Sequence, residues 1–111
     1  MKKIMIVDDN YLSAEGIEKN IDWETLNAEI VHVCYNGTSA IEAMKKDPAD
    51  LIISDIEMPD LDGISMSRQA LEINPMVKII LISAYDKFEY ARRALLLGAL
   101  DYIEKPLDYA Y

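Results

Sequence analysis

Asp8, Asp9, Asp55, Ser83 and Lys105 are residue types that handle phosphoryl groups and hard cations, and each closes or follows an apolar run. A carboxylate delivered to the end of a buried segment, as Asp55 is in LIISDIEMPDLDG (51–63), needs partners or a metal to offset its desolvation. Three carboxylates brought within a few ångströms of one another repel, and a cation among them relieves the repulsion. Magnesium suits this donor set. It is hard, prefers oxygen and keeps several waters, so two carboxylates and one backbone carbonyl suffice. The expected direct ligands are Asp9 and Asp55, with Asp8 bound directly or through water and the carbonyl of Glu57 as the backbone contribution. Asp55 can attack phosphorus through a carboxylate oxygen that is already deprotonated at neutral pH. The metal and Lys105 offset charge on the transferring group, and the Ser83 hydroxyl donates to one of its oxygens. The product is an aspartyl phosphate, a mixed anhydride open to hydrolysis, which adds roughly two negative charges to the site.

Other chemically capable residues read as structural. Asp60 and Asp62 lie beside Pro59 and Gly63 in a segment with turn composition, and turn chemistry is expected to be their whole role. His32, the one histidine, sits among apolar neighbours and is expected to be a satisfied structural residue rather than a ligand. Cys34, the one cysteine, reads as a small hydrophobe. VDDNYLSA (7–14) has acids where a nucleotide-binding turn needs glycine amides, which argues against nucleotide binding there.

Only a particular succession of elements gathers residues so far apart in sequence. KIMIV (3–7), DLIIS (50–54) and VKIILIS (77–83) have the length and branching of buried strands; EIVHVC (29–34) is a weaker fourth, and DYIEK (101–105) a short fifth. Between them AEGIEKNI (14–21), SAIEAMKK (39–46), GISMSRQALEIN (63–74) and FEYARRALLLGAL (88–100) repeat apolar residues at helical spacing. Pro48 and Pro75 stand just past helix ends. This alternation predicts an α/β fold, a doubly wound parallel sheet of five strands, for which the expected order is 2-1-3-4-5. Right-handed crossovers bring the carboxyl ends of all strands, and with them the acids, Ser83 and Lys105, to one edge.

In that order helix one alone covers one face, and inner residues of strands three to five are expected to meet water. After the fifth strand only PLDYAY remains. The fifth helix is therefore expected to be missing or displaced, with the chain truncated before or within it, or a neighbour supplying the cover. Leu95, Leu96 and Leu97 fan around helix four, so one of them faces outward. With Phe88 or Tyr90 it is expected to offer a surface for self-association, a homodimer, or interdomain contact.

At 111 residues, half of them apolar, the chain fits one globular domain spanning 1–111. No apolar run approaches the roughly 18 residues that cross a bilayer, and KKIMIV meets Asp8 too early for a signal peptide, so no membrane contact and a cytoplasmic location are expected. A net charge of −9 repels polyphosphate backbones, so this segment is not expected to grip nucleic acid itself.

IVDDN (6–10), SDIEMPDLDG (54–63) and SAYDKFEYARRALLLGALDYIEKPLD (83–108) resemble the receiver domain of two-component response regulators, over essentially the whole chain. The resemblance implies a flavodoxin-like fold and a sensor histidine kinase that donates a phosphoryl group to Asp55, with magnesium held at Asp8 and Asp9. It sets Ser83 and Lys105 at the family's hydroxyl and lysine positions, Tyr102 at its switch aromatic, and Lys105-Pro106 at a step that is often cis. If Ser83 closes on the phosphoryl group, it vacates space that the Tyr102 ring can fill. Glu57 and Tyr85 flank the path a water would take, and are expected to slow or guide hydrolysis. Such a domain is a phosphoacceptor rather than an enzyme, although it can catalyse its own phosphorylation and dephosphorylation with magnesium. IDWETL (21–26), together with the run from Ser83, resembles receivers that precede an AraC-type DNA-binding domain, which implies a transcriptional regulator whose output domain lies outside this chain. Two alternatives stay open: a stand-alone receiver signalling through protein contacts, and a magnesium-dependent phosphohydrolase with Asp55 as nucleophile. The second would need a general acid/base and a substrate pocket.

Overall fold

Branched apolar runs become strands and helical-period segments become helices in the computed structural model, which describes residues 1–83 and the backbone of 101–104. The order is β1 (Lys2–Val7), α1 (Tyr11–Asn20), β2 (Ala28–Cys34), α2 (Gly37–Lys46), β3 (Leu51–Asp55), α3 (Gly63–Ile73), β4 (Lys78–Ser83) and β5 (Asp101–Glu104). The expected fourth helix with its leucine surface, Tyr85, the Tyr102 side chain, Lys105, Pro106 and the chain's last residues lie outside the described residues.

All pairings are parallel, and the strand order is β2-β1-β3-β4-β5, the order expected. Successive strand residues point to opposite faces, and two cores result. Met5, Val7, Ile52, Ile79 and Leu81 pack in one cluster with Ala40, Ile41 and Met44 of α2 and Ile64, Met66 and Ala70 of α3. Ile4, Ile6, Ile53 and Ile82 join Ala14 and Ile17 of α1 in the other. Exposure on the α1 face is smaller than expected. Ile53 and Ile82 are buried in the cluster that includes Ala14 and Ile17 of α1, and of the inner residues of β3 and β4 only Leu51 and Ile80 are half-buried.

The helices begin where side-chain oxygens satisfy their first amides. Asn10 accepts from the Leu12 and Ser13 amides at 2.9 and 3.2 Å, so α1 starts well before the apolar periodicity that marked it from Ala14. Asn36 accepts from the Ser39 amide at 2.8 Å, and Asp62 accepts from the Ile64 and Ser65 amides, both at 2.9 Å. Asp47 and Asn74 cap the carboxyl ends of α2 and α3, with Pro48 and Pro75 directly after them.

β2 alternates imperfectly because its register against β1 shifts at Ile4/Met5: Ile4 pairs with Ile30 but Met5 with His32. The His32 ring meets the Asp47 carbonyl at 3.0 Å, the structural role expected of it. Asp47 also accepts from the Lys3 ammonium at 2.6 Å, which holds its carboxyl below the usual range. Cys34 is buried, and its desolvation pushes the thiol up, which suits a hydrophobe and not a ligand. IDWETL forms the turn from α1 to β2. Asp22 accepts from the Thr25 hydroxyl at 2.6 Å, and Trp23 packs half-buried against the α1-side core.

Candidate functional site

Strand register brings the acids together. β1 pairs β3 from Ile4↔Leu51 to Val7↔Ser54, and the same offset carried one residue further sets Asp8 opposite Asp55. Asp8 is 1 % exposed and Asp55 7 %, while Asp9 is open to solvent. One carboxylate oxygen from each lies within 4.8 Å of the others. Asp8 is oriented locally: its amide donates to the Cys34 carbonyl at 3.0 Å, and its Oδ1 accepts from the Asn10 amide at 2.9 Å. β4 closes the other side. Asp55 pairs with Ile82, the Ile56 amide donates to the Ile82 carbonyl at 3.0 Å, and the next residue, Ser83, is fully buried. Two buried carboxylates and an exposed third, all hard oxygen donors at this spacing, fit a small divalent cation with part of its water shell retained.

Asp8, Asp9, Asp55 and Ser83 are therefore brought to one sheet edge as the sequence predicted. Glu57 lies on the loop between β3 and α3, between Ile56 and Met58, which are both buried in the core under α2 and α3. Tyr102 pairs with Leu81 through its backbone in β5, and Glu104 pairs with Ser83.

The expectation for Asp60 fails, because its role reaches beyond its own turn. Its Oδ1 accepts from the Gly37 amide at 3.2 Å and its Oδ2 from the Thr38 amide at 3.1 Å, both in the first turn of α2. A hydrogen bond from the Thr38 side chain, aided by backbone amides, holds the Asp60 carboxyl down at about 2. A Cβ on Gly37 would sit 2.5 Å from the Leu61 backbone oxygen, and a Cβ on Gly63 would overlap the Asp55 carbonyl oxygen. The Gly63 amide donates to the Ile56 carbonyl at 2.7 Å, folding the loop back onto the end of β3. The pairing of Asp60 with α2 spans a separation that no local pattern encodes. Gly37 was the available signal, since glycine is a poor opener for a helix unless something packs against its backbone.

The response regulator receiver domain family model matches residues 4–110. The chain belongs to that family. The receiver domain is 32 % identical over 108 residues to YesN of Bacillus subtilis, a transcriptional regulatory protein, covering 97 % of this chain but only 29 % of YesN. It superposes on the receiver domain of AraT, a response regulator from Geobacillus stearothermophilus, with a TM-score of 0.92 at 36 % identity, covering 98 % of this chain and 84 % of that one. A two-component transcriptional regulator AraC from Clostridium phytofermentans gives a TM-score of 0.85 at 33 % identity, covering 99 % and 84 %. Receiver domains are phosphoacceptor signalling domains that bind magnesium at an acidic pocket, and a histidine kinase is their class of partner. Among the described residues no helix is long and apolar enough to cross a membrane.

Proposed function

We propose that this receiver domain, residues 1–111, is a cytoplasmic switch that takes a phosphoryl group onto Asp55 from a sensor histidine kinase. The observation that carries the reading is the convergence of Asp8, Asp9 and Asp55 at one sheet edge, two of them buried. These residues and the Glu57 carbonyl would hold magnesium, which when bound offsets charge on the phosphoryl group. An Asp55 carboxylate oxygen forms the new bond to phosphorus as the bond to the donor breaks, the donor leaving with its electron pair. Asp8, kept in place by the Asn10 amide, orients the cation site from β1. The Ser83 hydroxyl donates to a phosphoryl oxygen and Lys105 pairs with the new dianion. Withdrawal of Ser83 toward the phosphoryl group gives the Tyr102 ring room to move inward, which biases a two-state element.

Similarity to YesN and to the AraC regulator supports an AraC-type DNA-binding domain as the output in the intact protein. The chain's net charge of −9 agrees with DNA contact lying outside it. The test is incubation with acetyl phosphate and magnesium, followed by intact mass measurement. The expected result is one added phosphoryl group in the parent and none in Asp55→Asn; labelling that persists in the variant, or none in the parent, refutes the assignment.

A further inference from the structure

The loop from Asp55 to Gly63 is held along its length. Ile56 and Met58 are buried in the core under α2 and α3, Leu61 packs half-buried against that core, the Gly63 amide donates to the Ile56 carbonyl at 2.7 Å, and Asp62 caps α3. Asp60 adds a hold on the exposed outer side of the loop. Both of its carboxylate oxygens are spent on another element, Oδ1 on the Gly37 amide and Oδ2 on the Thr38 amide.

The first turn of α2 does not depend on Asp60 for a cap of its own. Asn36 already accepts from the Ser39 amide at 2.8 Å, as Asn10 and Asp62 each cap α1 and α3 locally. Asp60 takes the two amides that Asn36 leaves, and in doing so ties the loop to the helix. The tie suits its charge, since an anion at a helix amino terminus is favoured by the aligned peptide dipoles. The ordinary acid range leaves it ionised, its carboxyl being held at about 2. Gly37 completes the junction by letting the Leu61 backbone approach where a Cβ would collide.

We propose that Asp60 is a positioning residue for the phosphoacceptor site, clamping the loop that follows Asp55 to α2 so that the loop backbone at Glu57 stays in place to meet the cation. This rests on the reading of Asp55 as phosphoacceptor and of the Glu57 carbonyl as part of the cation site. Asp60 lies outside the cluster of Asp8, Asp9 and Asp55 and bonds the α2 amides instead. It acts through the loop, as partners of ligands do when they fix a ligand's direction, and losing such a partner weakens metal binding by roughly tenfold or more. Of these anchors it alone is an exposed carboxylate, so it can be removed without opening a cavity in the core.

The experiment compares the parent chain with Asp60→Ala, Asp60→Asn and Asn36→Ala. Each is measured for magnesium affinity by calorimetric titration, for rate of labelling by acetyl phosphate, and for thermal unfolding. Asp60→Ala is expected to weaken magnesium binding roughly tenfold and to slow labelling in step, with Asp60→Asn, which keeps one acceptor oxygen, falling between it and the parent. Should Asp60→Ala fail to fold, the Asp60→Asn shift decides the matter by itself. Asn36→Ala, which weakens the same helix end without touching the loop, is expected to lower the melting temperature and leave magnesium affinity at the parent value. Parent-like affinity in both Asp60 variants, or an equal loss in Asn36→Ala, overturns the positioning role while the phosphoacceptor reading stands. A parent that takes up neither magnesium nor a phosphoryl group removes both.

Discussion

Asp8 and Asp55 are buried at 1 % and 7 % exposure beside an exposed third acid, so three oxygen donors meet at a spacing that a divalent cation can bridge. Asp8→Asn removes one charged donor. Calorimetric titration is expected to show magnesium binding weakened by at least the roughly tenfold that loss of an outer partner produces. Asp60 gives a second prediction at this scale. Its folded carboxyl lies at about 2 against an ordinary 3.8, so its contribution to stability is present above the ordinary value and is lost as pH falls toward 2. Urea unfolding of the parent is therefore expected to weaken more between about pH 4 and pH 2 than that of Asp60→Asn, whose amide does not titrate there. Parallel curves would show that the carboxylate's tie to Gly37 and Thr38 does not contribute.

At the scale of elements, neighbouring residues of one loop do different work. Asp62 caps α3 locally through the Ile64 and Ser65 amides, whereas Asp60 joins two elements. Asp62→Ala is expected to lower stability by about 1 kcal/mol in denaturant titration, the usual effect of losing an amino-terminal cap. Gly63→Ala is expected to do more, about 1–3 kcal/mol, because its methyl group would overlap the Asp55 carbonyl oxygen. The same collision displaces the end of β3, so labelling by acetyl phosphate should slow in Gly63→Ala and stay near the parent rate in Asp62→Ala. The cap of α3 was readable as turn chemistry because it acts over two or three residues. The start of α1 was not, since Tyr11, Leu12 and Ser13 break the apolar period and only Asn10's acceptor oxygen marks the helix. β2 was the least legible strand because the register shift at Ile4/Met5 disturbs its alternation.

For the whole molecule, 20 acids against 11 basic residues give a net charge of −9, and three of those acids meet at one sheet edge. A ligand that binds only the folded state stabilises it by mass action. Magnesium at a hundredfold excess over its Kd is expected to add about 2.7 kcal/mol, read as a rise in melting temperature. Sodium chloride at equal ionic strength is expected to give a smaller rise, because screening relieves repulsion without supplying a ligand. Equal rises would mean that the cluster only senses ionic strength. The two faces of the sheet carry this site unequally. α2 and α3 pack over one core and carry the Asp60 junction, while α1 is the one described helix over the other.

The sequence by itself determined the alternation of strands and helices, the parallel sheet and the acids at strand ends, because these follow from side-chain period and branching within a few residues of chain. It also pointed to Asp8 and Asp55 as neighbours, since a parallel order with β1 beside β3 leaves few registers that bury both apolar strands. Only the tertiary structure decided that Asp60 engages α2, that Gly37 and Gly63 admit backbone where a side chain would collide, and that Ile53 and Ile82 join α1 in a buried cluster. Each of these depends on atoms distant in sequence meeting at a particular separation, and hydrophobic pattern specifies which face a residue takes, not which loop packs against it.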